Sequence, residues 1–459
     1  MDLYGSFFRT LMFPAWERGV RRRHTVDYLR ELETSQWFSH DRLVELQGRK
    51  LRALIRHAHA HVPFYRDRLA ACGIGPDDLE TVEDLRNLPL LTREDAVGSQ
   101  ETRKSTAPPF ATVKKTTSGS SGTPLSFGYN IESDHMRNAV KLRGYGWAGY
   151  RIGSPVLFYW GSAEKPVKPS LVTRTKIDLD RRMKREHYID CTPAGDEHLA
   201  SVVAEIKRLR PHCIVAYSQA GASLARYVNR SGSRDWPTIP VLCAAERVLD
   251  ADRDAIKQAF GPAVFETYGS REFMLHASEC EAHDGMHVSM ENLVIELVVR
   301  GDDGSVRPAE PGEAGELAIT DLNNLGMPFI RYLNGDLAQA RALKPCPCGR
   351  GLARIGPVEG RVTATLRDGE GNPVNGLVFN LIFCELAEAT RQFQAVQHVD
   401  GSITLKVVPS ATMDGATLDH IARHTRKYLP GVEVRTELVD SIPTTRTGKR
   451  RVVVVEKPE

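Results

Sequence analysis

Cys213-Ile214-Val215-Ala216-Tyr217, a helical run from Gln219 to Asn229, Pro240-Val241-Leu242-Cys243-Ala244, a second helical run from Ala251 to Phe260, and Val264-Phe265-Glu266-Thr267-Tyr268 together decide the fold of this 459-residue chain. Each short apolar run has the length and composition of a buried strand, and each segment between them spaces its apolar residues as a helix does. Strand, helix, strand at this pitch is the pattern of βαβ units around a mostly parallel sheet. Val156 to Trp160 and the helix from Glu197 to Leu209 carry the pattern upstream.

Working outward, residues 1 to about 105 read as mostly helical, with periodic stretches at Val26 to Glu33 and Ser39 to Ala60 and short helices on either side of Pro89. A strand over Phe110 to Lys115 and a helix over Asp134 to Tyr150 follow. After 285 the texture turns to β, in His287 to Arg300, Gly315 to Asp321 and Phe329 to Arg341. Beyond about 360 comes a smaller α+β unit, with a helix near Ala416 to Leu429 and strands at 403–408, 432–439 and 451–456. The expected architecture is therefore α/β: a large N-terminal domain, 1–360, with mostly parallel sheets plus a β-rich subdomain, and a small α+β C-terminal lid domain, 361–459. Gly356-Pro357-Val358-Glu359-Gly360-Arg361 is the natural boundary.

Composition excludes several classes. Apolar content of 41% and charged content of 26% are those of a water-soluble globular protein. A net charge of +3 over so long a chain argues against nucleic acid as partner, which demands a clustered basic face. No run approaches the about 20 apolar residues that span a bilayer, so membrane insertion is not expected. Phe7, Phe8, Leu11, Met12 and Phe13 are interrupted by Arg9 and followed by no cleavage site; they read as a helix packing on its own domain or on a partner chain, in a cytoplasmic protein.

Thr116-Thr117-Ser118-Gly119-Ser120-Ser121-Gly122-Thr123-Pro124 concentrates six hydroxyls and two glycines without a charge, just after Lys114 and Lys115. Hydroxyls and bared amides suit polyphosphate oxygens, though Ser/Gly runs also serve as plain linkers. The fixed Gly-Lys-Ser/Thr end of a Walker A loop is missing. At the carboxyl ends of strands, where open α/β sheets place their chemistry, stand two carboxylates. Tyr268-Gly269-Ser270-Arg271-Glu272 offers a ring for stacking and a Mg²⁺ ligand, and Ala244-Ala245-Glu246 offers a second acid. Arg331-Tyr332-Leu333-Asn334-Gly335-Asp336 suits a grip on two ribose hydroxyls, or is an ordinary Asn-Gly hairpin turn. Pro443-Thr444-Thr445-Arg446-Thr447-Gly448-Lys449-Arg450 is either a solvated basic turn or a mobile cation delivered to a charged centre.

Eight scattered cysteines do not form a disulfide framework. Cys213 and Cys243 lie in strand-like runs and read as core thiols, whereas Cys346-Pro347-Cys348-Gly349 is a turn whose thiols can converge on one metal. With Cys280 and His287 they make a Cys₃His set suited to structural zinc; His283 is the alternative imidazole, and a reduced, metal-free turn is the plain alternative.

The order of these elements resembles the adenylate-forming superfamily of acyl-CoA synthetases, and most closely the phenylacetate–CoA ligase and capsule-biosynthesis-type branch. His61-Val62-Pro63-Phe64-Tyr65-Arg66, Leu88-Pro89-Leu90-Leu91-Thr92-Arg93-Glu94-Asp95, Glu279-Cys280, Gly285-Met286-His287-Val288 and Cys346-Pro347-Cys348-Gly349-Arg350 carry the likeness to that branch. The resemblance implies that 116–124 hold the β- and γ-phosphates of ATP, that Tyr268 lies on the adenine beside Gly269, and that Glu272 ligates Mg²⁺. It implies that Asp336 binds the ribose with Arg361 helping at the hinge, and that Lys449 reaches the carboxylate and α-phosphate. The implied activity is AMP-forming activation of a small, aromatic carboxylic acid followed by transfer to coenzyme A. Transfer of the acyl group or AMP to an amine, a carrier protein or a hydroxyl is the alternative, because Val362-Thr363-Ala364-Thr365 follows Arg361 where relatives usually carry an acidic pair. Members of the family often form dimers, so a homodimer is among the expectations.

Overall fold

The computed structural model describes the chain except residues 1, 108–111, 118–124, 162–169, 192, 194, 246, 249, 302–303, 360–364, 385, 387–388, 411–412, 443–452 and 457–459. Ser118, Gly119, Ser120, Ser121, Gly122 and Thr123 of the hydroxyl loop, with Glu246, Arg361 and Lys449, lie outside the described residues.

The strands in chain order are β1 (Thr112–Thr117), β2 (Leu125–Asn130), β3 (Val156–Trp160), β4 (Glu186–Asp190), β5 (Cys213–Tyr217), β6 (Val241–Ala244), β7 (Val264–Ser270), β8 (Met274–Glu279), β9 (Met286–Val288), β10 (Leu293–Arg300), β11 (Val306–Pro308), β12 (Ala314–Asp321), β13 (Tyr332–Gln339), β14 (Arg354–Ile355), β15 (Val358–Glu359), β16 (Thr365–Arg367), β17 (Pro373–Asn375), β18 (Thr390–Gln397), β19 (Ile403–Pro409), β20 (Val434–Leu438) and β21 (Val453–Val455). An eight-stranded sheet has the order β14-β9-β8-β7-β6-β5-β3-β4. From β4 to β7 neighbouring strands run parallel; β8, β9 and β14 are added antiparallel. The parallel part is the stretch whose apolar runs announced it. Helices Asp196–Leu209, Ser218–Ser231 and Asp250–Phe260 bury Leu199, Val202, Ile206, Leu224 and Ile256 against it. Parallel pairing recurs in the C-terminal sheet, between β18 and β21 and between β19 and β20. The five-stranded sheet β11-β10-β12-β13-β15 is wholly antiparallel.

Residues that sequence patterning read as one β run, His287 to Arg300, form two strands, because Ser289 to Asn292 turn with Asn292 N–H donating to the Ser289 carbonyl at 2.9 Å. Thr116 and Thr117 end β1 rather than lying in a loop, paired with Ser126 and Leu125. The helix expected over Asp134 to Tyr150 spans Ile131–Trp147. The N-terminal residues are helical from Leu3 to Val20, with π-helical stretches at Phe8–Met12 and Trp16–Val20, and bury Phe8 and Phe13 against Tyr150, Ile152 and Phe158.

C-terminal residues form a sheet of order β20-β19-β18-β21 with its own core, which includes Phe379, Phe383, Phe393, Leu405 and Ile421. The stacked Phe383 and Phe393 rings, 3.9 Å apart, join the helix Leu377–Cys384 to β18.

Two buried ion pairs fasten helix Ile131–Trp147 to the β layers. Arg143 grips Glu291 at 2.6 and 3.1 Å, and Ser35 donates to the same carboxylate at 2.6 Å. Arg137 pairs with Asp321, both under 2% exposed. Buried charges persist only where such partners and hydrogen bonds satisfy them.

Candidate functional site

The first cluster forms where the two large sheets meet. Tyr268 stands near the end of β7, where a bulge separates it from Gly269. Gly269 is required there, since a Cβ would lie 2.1 Å from the Met274 carbonyl oxygen. The Tyr268 hydroxyl donates to Asp336 Oδ2 at 2.7 Å, bridging β7 to β13. Asn334 Nδ2 reaches the Tyr268 oxygen at 2.5 Å and the same Asp336 oxygen at 3.1 Å. Asn334-Gly335-Asp336 is no hairpin turn: it lies within β13, where the register against β12 shifts between Glu316 and Ala318. Gly335 supplies the positive φ, +87°, of this bulge. The bulge aims Asp336 across the sheet junction.

Beneath Tyr268 lies His276, fully buried, its ring edge-on to Tyr268 with centroids 4.6 Å apart and Nε2 3.1 Å from Ser270 Oγ. Burial, with the positive charge of Arg137 adding to it, pushes the imidazole down to about 3. It is a neutral support for the tyrosine.

Glu272 follows on the turn between β7 and β8 and is buried. Its carboxylate lies 3.9 Å from Arg93, whose guanidinium also donates to Thr117 Oγ1 at 2.9 Å. Its backbone carbonyl accepts from Arg137, which lies over the Tyr129 ring at 4.0 Å and donates to Ser133 Oγ at 3.1 Å. One arginine thus joins the foot of the hydroxyl loop to the acid, and another pins the turn that carries it. Thr116 Oγ1 lies 3.3 Å from Ser126 Oγ across the β1–β2 ladder.

At the carboxyl ends of β3, β5 and β6, register sets Tyr159 beside Ala216 and Tyr217 beside Ala244, and the Trp160 and Tyr217 rings lie 4.3 Å apart. Ser218 Oγ donates to the Ala244 carbonyl at 3.2 Å. Of these strands only β6 pairs with β7; the aromatic pair on β3 and β5 forms a rim further along the same sheet edge.

A second cluster unites Cys280, His287, Cys346 and Cys348, whose ligand atoms all lie within 4.8 Å of one another. Cys280 and Cys346 Sγ are 3.8 Å apart, and Cys348 Sγ is 3.3 Å from His287 Nε2. Tetrahedral zinc, with Zn–S of about 2.3 Å and Zn–N of about 2.0 Å, separates two sulfurs by about 3.8 Å and sulfur from nitrogen by about 3.5 Å. The donor set fits that ion. His287 Nδ1 is held 3.0 Å from the Leu352 carbonyl, which leaves Nε2 for the metal. His283 is turned away to Glu279 at 3.0 Å. Burial raises the Cys280 thiol to about 12. At Cys348 burial acts upward too, but hydrogen bonds from Arg350 and the neighbouring thiols hold its pKa below the ordinary value. Cys213 and Cys243 are buried core thiols, each raised to about 12 by burial.

Arg93 and Asn334 were visible only as letters within the stretches quoted above. Their partners lie 24 and 66 residues away in sequence, and only the fold shows what they touch.

The fold is that of the adenylate-forming ligases. It matches crystal structures of 2-hydroxyisobutyryl-CoA ligase: one in the postadenylation state in complex with 2-HIB-AMP, TM-score 0.54 at 20% identity, over 90% of this chain and 89% of that one, and one in the thioesterification state, TM-score 0.55 at 18% identity. In sequence the chain is 29% identical to a phenylacetate-coenzyme A ligase of Pseudomonas putida, over 72% of this chain and 73% of that protein. It is 26% identical to the phenylacetate-coenzyme A ligase of Aromatoleum evansii, over 94% of this chain and 98% of that protein. Residues 366–456 match the CapK C-terminal domain model. Together these fit the phenylacetate–CoA ligase and capsule-biosynthesis-type family that the sequence resembles. Among the described residues, no helix is long and apolar enough to cross a membrane.

Proposed function

We infer that the protein activates a small carboxylic acid with ATP as the acyl-adenylate, releases pyrophosphate, and passes the acyl group to coenzyme A. The observation that carries this reading is the convergence of Tyr268, Asn334 and Asp336 from two sheets beside Glu272, Arg93 and Thr117. A ring, a hydroxyl-seeking carboxylate, a metal-ligating carboxylate and a cation are the complements of a base, a ribose and a polyphosphate. Asp336 exchanges its hydrogen bond from Tyr268 for the ribose hydroxyls. Glu272 holds Mg²⁺, which supplies neutralisation of phosphate charge when bound. Arg93 and the hydroxyls of 116–123 hold the leaving pyrophosphate.

A carboxylate oxygen of the acid bonds to the α-phosphorus as the α–β bridging P–O bond breaks. Two anions are brought together in that step, so a cation must meet them at the transition state. Lys449, on the C-terminal lid domain that begins near residue 361, is the cation proposed for it. In the second step the coenzyme A sulfur, its proton lost to solvent, attacks the acyl carbon and AMP departs. The rim of Trp160 and Tyr217 favours an aromatic acid. Cys280, His287, Cys346 and Cys348 hold a structural zinc ion that ties β8 and β9 to the turn at 346–348.

The test is pyrophosphate exchange with a panel of aromatic and aliphatic acids, followed by product mass with and without coenzyme A. Exchange with an aryl acid and a thioester product are expected. A product of unchanged mass when coenzyme A is added would turn the second step toward an amine, hydroxyl or carrier-protein acceptor. No exchange with any acid would end the reading.

A further inference from the structure

Exposed apolar side chains on this protein are gathered rather than scattered. Of sixteen large apolar residues exposed among the described ones, ten lie on the N-terminal helical run, on helix Leu171–Lys184, or on Tyr188 beside it. Leu3, Phe7 and Leu11 form one stripe of the N-terminal run, opposite the Gly5, Phe8 and Phe13 face that packs into the core. Helix Leu171–Lys184 has no buried residue at all; it projects, with Leu171 81% and Val172 65% exposed and Leu179 one heptad after Val172. The two elements are joined. Tyr4 donates to the Met183 carbonyl at 2.7 Å, Arg185 pairs with Asp2 at 3.0 Å, and Arg21 pairs with Asp180 at 2.7 Å.

The same two segments concentrate positive charge. Residues 2–24 and 170–185 hold eleven Lys/Arg against four Asp/Glu, a surplus of seven in a chain whose total is +3. Arg22, Arg174, Lys176 and Arg182 are exposed, and no carboxylate among the described residues pairs with them. Apolar side chains beside unpaired cations complement a surface that is anionic at its face and hydrocarbon beneath.

A second copy suits the patch less well, because a two-fold interface would set the same excess of positive charge against itself. The apolar residues stand out on a helix none of whose side chains is buried. Such residues enter a soft medium at little cost in fit. We propose that this face rests the protein peripherally on anionic phospholipid bilayers, lying on the membrane without crossing it. The proposal does not depend on the ligase reading, since none of these residues touches the Tyr268 or Glu272 clusters.

The test is sedimentation of the whole protein with vesicles of phosphatidylglycerol and phosphatidylcholine, and with vesicles of phosphatidylcholine alone, at low and high salt. Binding is expected only to the anionic vesicles and is expected to weaken with salt. The double variant Leu11→Asp/Val172→Asp and the triple variant Arg174→Glu/Lys176→Glu/Arg182→Glu should each bind about tenfold less, with an unchanged circular dichroism spectrum and unchanged pyrophosphate exchange. Three results would overturn the proposal: no binding to either vesicle, equal binding to both, or variants that bind as the parent does. So would a dimer in light scattering that Leu11→Asp/Val172→Asp dissociates, because a second copy would then be what covers the face.

Discussion

The thiol cluster and the proposed nucleotide cleft are both built from separated pieces of chain, yet they are finished differently. Cys280, His287 and Cys346 are buried, the ligand atoms of the set lie within 4.8 Å of one another, and the second nitrogen of His287 is committed to a carbonyl. In the cleft, Asp336 is bonded to Tyr268 and Asn334, and Glu272 faces Arg93. Each group is held in place by a partner that a ligand can replace. A knot that only ties the fold can be closed in advance; a site that turns over must keep exchangeable partners.

The contrast can be broken at four points. Lys449→Ala carries the largest expected effect: pyrophosphate exchange falls about 10²–10³-fold, while thioester formation from supplied acyl-adenylate falls far less. Equal loss in both half-reactions would remove the assigned role. Cys346→Ser comes next and acts on the fold. Bound zinc, counted by atomic absorption, should drop to none, with stability lowered by about 3 kcal/mol in denaturant titration. Unchanged zinc or unchanged stability would show that the knot is no metal centre. Asp336→Asn acts on binding, raising the KM for ATP about tenfold with a smaller change in kcat; a loss confined to kcat would contradict ribose binding.

The smallest effect concerns His276. Its pKa is depressed in the folded state to about 3 from the usual 6.5. Between those values the unfolded chain binds a proton that the native one refuses. The contribution is therefore present above about pH 6.5 and is lost as pH falls, by about 1.4 kcal/mol per pH unit at most. Urea titrations of the parent and His276→Phe between pH 7 and 5 should show a shallower fall in the variant. Parallel curves would mean that the imidazole takes up its proton while buried.

Much of this design was legible in the chain itself. β5, β6 and β7 could be read because strands buried on both faces are continuous apolar runs. Helix Leu171–Lys184 and β18 escaped notice for the opposite reason. The helix buries nothing and is dominated by charged residues, while Thr390–Gln397 alternates polar residues without an apolar run. The sequence sets Asp336 one residue after a glycine, but whether that glycine makes a hairpin turn or a bulge depends on β12 lying alongside. The choice between His283 and His287 likewise rested on tertiary contacts, with Glu279 taking one ring and Leu352 orienting the other.

By itself the sequence determined the parallel α/β core, the chemical types gathered in the cleft and the three cysteines, because periodicity and residue type are local properties. Only the tertiary structure decided that Arg93 spans Thr117 and Glu272, that Arg137 pins the turn bearing the acid, and that two helices far apart in sequence, both carrying exposed apolar and basic residues, are joined. Those are relations across more than a hundred residues in several cases, and such contacts are set by packing that no local pattern encodes.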